Sequence, residues 1–218
     1  MTTLSPAAPQ TVELFHSLFT RYLHHLPGTE KFIAALSSVD STSLSPPPIE
    51  DPAGPFITDA DWSAMASQNS RPLVDAFSRR MRDLPWHVPY LGDPAAGPGF
   101  AERAASTGRI GPIAPVRSPD VAGGFFVVGR DVDYLDHNHR PEELYLPVAG
   151  EAEFWNEDTG WSVKRADDAM IHPSWQWHGM RTTDKPVLIF WMWLGPEGFG
   201  DLPALRPTLG GDDYDLSG

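Results

Sequence analysis

Between residues 11 and 26 the apolar positions return every three or four residues: Leu14, Phe15, Leu18, Phe19, Tyr22, Leu23 and Leu26. That spacing lines one face of a helix, and Pro27-Gly28 ends it. The stretch "STSLSPPPIEDPAGP" (41–55) has no period and reads as an irregular connector. A second helix is expected from Asp59. A third is expected across "RPLVDAFSRRMRDL" (71–84), where Pro72 suits a first turn. "LPWHVPYLGDPAAGPGF" is broken by Pro and Gly and reads as loop. From Pro115 the period shortens. "GGFFVVGRDV", "EELYLPVAG", "EAEFWNEDTGWSVKRA", "DAMIHPS" and "PVLIFWMWLG" are short runs of β-branched and aromatic residues between turn signals. "NEDTG" suits a hairpin turn between two alternating strands.

Short strands at near-even spacing, with no helical pattern between them, predict an antiparallel sandwich or small barrel. The chain is therefore read as mainly β, in three parts. Residues 1–112 form an N-terminal helical and loop region, 113–202 the barrel, and 203–218 an acidic, Gly-rich tail expected to be poorly ordered. Eight Trp and eleven Phe within an apolar fraction of 41% give the barrel an aromatic core.

Charge narrows the partners. The net charge of −13 comes without any cluster of Lys or Arg, which disfavours nucleic acid and anionic lipid surfaces. No apolar run is long enough for a membrane span, and "MTTLSPAAPQ" lacks a basic stretch followed by an apolar one. A soluble cytoplasmic protein acting on a small molecule is the default expectation; a homodimer is compatible with the sequence. With no cysteine, disulfides and thiolate ligands are excluded, so any metal must be held by His, Asp, Glu, Tyr or water.

The candidate chemistry concentrates in "YLDHNHRPEELYLPVAG", residues 134–150. Side chains two apart on a strand share a face, so His137 and His139 point one way, and so do Glu143 and Tyr145. The Arg140-Pro141 step is a natural bend that lets both pairs converge. Glu142 has the opposite parity and faces away. His178, in "HPSWQWHGM", supplies a third imidazole from a neighbouring strand. Such a set without thiolate suits one divalent Fe, Zn, Mn, Ni or Co per chain, and leaves coordination positions open. Trp175 and Trp177 differ in parity from His178 and are expected outside the cavity. His16, His24 and His25 ride on the first helix as incidental residues, and His172 reads as structural.

His137-x-His139-x3-Glu143-x6-Gly150 followed by His178 fits the two motifs of metal-binding cupins, although Gly129 is off the usual spacing. Within that group the chain resembles the cupin-type dimethylsulfoniopropionate (DMSP) lyases. The resemblance implies a C-terminal double-stranded β-helix (jelly-roll) barrel behind an N-terminal helical extension. It also implies metal-dependent cleavage of a zwitterionic substrate, DMSP, to dimethyl sulfide and acrylate. It carries over a catalytic tyrosine at Tyr145, a second at Tyr134 that also touches substrate, and a substrate-binding tryptophan at Trp193. Two other readings stay open at this point: an Fe(II) cupin dioxygenase, and a non-catalytic metal-binding sensor.

Overall fold

A computed structural model describes residues 16–40, 60–89, 99–195 and 204–206. Helices come first: α1 (residues 16–23), α2 (Glu30–Ser37), α3 (Trp62–Met65), α4 (Arg71–Ser78), a 3-10 turn (Met81–Asp83) and α5 (Phe100–Arg103). Asp61 caps α3 by accepting from the Ala64 amide at 3.1 Å, so the second expected helix starts after Asp59. The third ends at Ser78, and its expected last turn becomes the 3-10 segment. Residues 11–15, the connector 41–55 and residues 90–98 lie outside the described residues.

Among the described residues ten strands follow: β1 (Ala104–Gly111), β2 (Val116–Arg117), β3 (Val121–Val128), β4 (Asp133–Asn138), β5 (Glu142–Asn156), β6 (Gly160–Arg165), β7 (Met170–His172), β8 (His178–Arg181), β9 (Val187–Leu194) and β10 (Ala204–Arg206). Their order is β10-β4-β8-β5-β9-β3-β1-β2, with β6 and β7 also pairing with β5. The sheet reaches past the boundaries at 113 and 202 expected from sequence. β1 lies before the first and pairs with β3, and β10 lies after the second and pairs with β4. No other part of the tail from 203 on is among the described residues.

Alternation along the strands builds two cores. Leu144, Leu146 and Val148 of β5 pack outward with Phe125, Leu188 and Phe190, under Phe19, Leu23, Phe32 and Phe77 from the helices. Phe19 lies 3.9 Å from Phe190, and Phe77 4.1 Å from Phe125, ring centre to ring centre. Intervening residues point inward: Phe126, Tyr134, Tyr145, Phe154, Met180 and Ile189 meet in one cluster. Side chains from both ends of the strand order therefore touch, which means the sheet curls on itself into a barrel. The helical layer is tied down by polar contacts too. At the β6–β7 turn, Asp167 accepts from Tyr22 Oη at 2.6 Å and Ser67 Oγ at 2.8 Å. Burial, then the bond to Asp167, pushes the Tyr22 phenol well above its usual range.

The strand that organises all this is β5, whose 15 residues serve both halves of the barrel. Residues 142–150 pair with β9 and 143–145 with β7, whereas 151–156 pair with β6 and 153–156 with β8. The crossing occurs at a bulge between Pro147 and Ala149 followed by Gly150, at φ +79°. A Cβ at 150 would run into the Pro186 carbonyl oxygen. Glycine is thus required twice over, by dihedral and by space. Gly150→Ala should lower unfolding stability by about 2 kcal/mol or more, read as a lower urea midpoint at unchanged slope. An unchanged midpoint would show that the strand can cross without a left-handed residue.

Candidate metal centre

His137 lies on β4 and His178 opens β8, directly opposite each other in the antiparallel register. Glu143 sits on β5, paired with Trp193 of β9 on one side and His172 of β7 on the other. His139 is in the turn at Arg140-Pro141 that joins β4 to β5, at the expected bend. The structure brings all of these together. One ligand atom from each of His137, His139, Glu143 and His178 lies within 4.8 Å of the others, and all four residues are buried. Glu142 points away, as its parity requires, and pairs with Lys31 of α2.

The hydrogen bonds fix the state of two imidazoles. His139 Nδ1 lies 2.9 Å from the Pro141 carbonyl and His178 Nδ1 2.9 Å from the Gln176 carbonyl. A carbonyl can only accept, so each Nδ1 carries the proton and each neutral Nε2 presents a lone pair. Both lone pairs face the same carboxylate oxygen, Glu143 Oε2, at 2.9 and 3.1 Å. Three acceptors pointing at one spot repel unless a cation, a proton or a metal ion, joins them. Outer nitrogens donating to carbonyls while inner ones converge is the arrangement that metal-ligating histidines require. The residues therefore fit a divalent metal.

Electrostatics agree. Burial alone would raise the Glu143 carboxyl, but attraction and hydrogen bonds from His139 and His178 outweigh it and hold it well below the usual range. Burial would lower His139, yet the Glu143 charge and its hydrogen bond lift it above the usual 6.5. Glu143 stays ionised at neutral pH, and the proton it holds on His139 is the one a metal cation would displace.

Trp193 donates its indole N–H to Glu143 Oε1 at 2.7 Å, and its ring lies 4.5 Å from that of His139. It therefore fixes the orientation of the Glu143 carboxylate. Tyr134 stacks on Phe100 at 4.9 Å and lies 4.7 Å from His137. Tyr145 meets His172 and His178 edge-on at 5.8 and 5.9 Å. Trp175 is half exposed, beside Arg140 and outside the cavity.

Two further residues support this neighbourhood: His172, which the sequence marks only as structural, and Gln176, which it does not mark. His172 is stacked flat on His178, rings 4.0 Å apart at 7°. Burial, and then the neighbouring His178, pull its pKa down to about 3, so the plate behind the ligand is neutral. Its Nδ1–H donates to Gln176 Oε1 at 3.0 Å, and Gln176 Nε2 donates onward to Asp158 Oδ2 at 2.6 Å. Gln176 thus holds His178 by its backbone and His172 by its side chain. The only cue was the shared parity of His172 and His178; no local pattern marks Gln176. Among the described residues the buried His172 Nε2 acceptor and Trp191 Nε1 donor have no protein partner, which leaves them for a bound molecule or ordered water.

Residues 32–189 match the sequence family of dimethylsulfoniopropionate lyases. Over 195 residues, 89% of this chain and 92% of the relative, the sequence is 30% identical to dimethylsulfoniopropionate lyase DddQ of Ruegeria pomeroyi. The crystal structure of DddQ from that organism superposes with a TM-score of 0.74 at 25% identity, covering 93% of this chain and 99% of that one. A crystal structure described with the DMSP lyases RdDddP and RnDddQII gives 0.70 at 23% identity over 91% and 98%, a likeness of fold.

Loss of the outer support should be measurable without turnover. Gln176→Leu keeps the backbone carbonyl but frees His172, and should weaken metal affinity by roughly 10–100-fold, read by competition with a chromophoric chelator. Unchanged affinity would mean that the stacked pair holds its place unaided.

Proposed function

Because the chain belongs to the dimethylsulfoniopropionate lyase family, we propose that it cleaves DMSP to dimethyl sulfide and acrylate by β-elimination. The enzyme is a carbon–sulfur lyase. In this reading one divalent metal is held by His137, His139, Glu143 and His178, and Tyr145 is the base. The observation that carries it is the buried convergence of these four groups, with Tyr145 two residues beyond Glu143 on the same face of β5. Nitrogen and oxygen donors without thiolate suit Fe, Mn, Zn, Ni or Co.

β-Elimination from DMSP requires removal of a proton next to a carboxylate, which is weakly acidic while that carboxylate keeps its charge. A bound divalent cation supplies the neutralisation as a Lewis acid. Tyr145 accepts the proton. The C–H electron pair becomes the new C=C bond, and the C–S pair departs with sulfur. The leaving group is a neutral thioether, so no acid is needed to assist it. A phenol titrates near 10 in water, so positive charge close to Tyr145 favours the phenolate it must be. The sulfonium head of the substrate is drawn to aromatic faces. Tyr134, fixed by its stacking on Phe100, and Trp193 supply such faces, one beside His137 and the other beside His139. Buried apolar neighbours such as Phe126 and Ile189 keep bulk water from competing for the proton.

Tyr145→Phe should keep fold and bound metal while losing about 10²–10⁴-fold in rate, measured as dimethyl sulfide in the headspace over purified protein and DMSP. Near wild-type release would move the base role to Tyr134. No release by the metal-loaded wild type would dismiss the substrate itself.

The raised His139 pKa gives a pH test. A proton on His139, stabilised by Glu143, competes with the metal and is lost only as pH climbs through and above the usual 6.5. Metal affinity should therefore rise as pH climbs through and above 6.5 and level off once His139 has lost its proton. A pH-independent affinity would remove His139 from the ligand set.

A further inference from the structure

On the helix-covered face of the barrel, away from the metal group, lies a small cavity of about 20 Å³. It is lined by Phe19, Ile110, Val116 and Phe190, with His16 and Arg109 as its polar members. Arg109 is the extra residue of a bulge in β1. Gly108 pairs with Gly124 and Ile110 with Gly123, leaving 109 unpaired between them. Bulges of this kind re-aim a side chain. Here the side chain goes inward, to 9% exposure.

A guanidinium in that position carries a cost that no described residue offsets. Its Nε is buried without a hydrogen-bond partner, and no ion pair reaches Arg109 among the described residues. The His16 ring donates its Nε2–H at 2.8 Å to the Leu36 carbonyl and offers no negative charge. A buried Lys or His would answer by losing its proton. Burial pulls Arg109 down only to about 10, so it stays charged at neutral pH. An ion buried without a partner favours any state that supplies an opposite charge. The chain has 29 Asp and Glu, yet no described carboxylate pairs with this cation.

We propose that Arg109 and the cavity beside it bind one small monoanion, a halide or the carboxylate of a short organic acid. The charge sets the valence: one guanidinium balances one negative charge, whereas a phosphate dianion would bring an unbalanced second charge into an apolar lining. The volume sets the size, room for an ion or for a carboxylate head, whose two oxygens suit a guanidinium fork. The site is separate from the metal centre. Phe190 faces it from β9, while Ile189 and Trp191 on either side belong to the barrel interior.

The test is thermal unfolding of the metal-loaded enzyme at constant ionic strength, with gluconate exchanged for chloride, formate or acetate. Binding to the folded state alone raises the midpoint. Wild type should melt several degrees higher in the small anions, and Arg109→Leu at the same temperature in all. A gain from chloride alone assigns a halide site; a gain from formate and acetate as well assigns carboxylates. A midpoint indifferent to the anion, or an equal gain in Arg109→Leu, would overturn the proposal. Should the variant fail to fold, wild-type crystals soaked in bromide and in formate decide: either anion within hydrogen-bond reach of the guanidinium upholds the site, and the absence of both at saturating concentration overturns it.

Discussion

A carboxylate without access to water is the constraint around which this barrel is arranged. Glu143 is 2% exposed, and its charge is tolerable only because Trp193 donates to it and a proton or a metal ion can join it to the His139 and His178 nitrogens aimed at it. Those partners come from the β4–β5 turn, β8 and β9, and β5 carries the carboxylate itself. Neutralising one group therefore requires strands from both halves of the curled sheet to be in place. Breaking such an arrangement by removing one member leaves a buried charge, which costs more than the contact was worth. Fold and site are consequently not separable layers here, since the barrel closes on the same residues that give it chemistry.

The outer shell follows from the same demand. An imidazole that must present Nε2 inward needs its Nδ1–H accepted elsewhere, and backbone carbonyls of Pro141 and Gln176 do so without adding charge. The flat contact between His172 and His178 works only while His172 is neutral, a state that burial favours. The helical layer takes no direct part in this. It covers the other face of β5 and β9 with aromatic rings, and Ser70 Oγ on the Val148 carbonyl at 2.7 Å fastens it to the same strand.

Much of the centre was legible because strand parity is a strong rule. His137, Glu143, Tyr145 and His178 converge as alternation requires, and Glu142 turns outward. Strands rich in Val, Phe and Trp announced themselves for the same reason. β1 did not: "AASTGRIG" lacks β-branched and aromatic density, and its strand conformation is imposed by pairing with β3 rather than by propensity. β10 is three residues held by β4, too short for any period. The tasks of Trp193 and Gln176 depend on contacts 50 residues away and on a side chain bridging two loops, neither of which leaves a local pattern. Arg109 was invisible because its burial comes from the helical layer packed over β1, a contact that leaves no local pattern.

The β5–β6 hairpin has the look of a spare part: a polar turn at 157–159, exposed, closed by Asn156 Oδ1 accepting from the amides of Asp158 and Thr159 at 3.0 and 2.9 Å. Tips of this kind are where engineers attach tags and where evolution tolerates insertions. Here the tip is also a strut. Asp158 holds Gln176, Glu157 accepts from the Trp177 amide, and through them the hairpin reaches the back of two histidines. Drift in this turn is thus coupled to the surroundings of His172 and His178. Fusions, circular permutants or loop grafts placed there would retune the centre, even though every residue that touches the metal pocket had been left as it was.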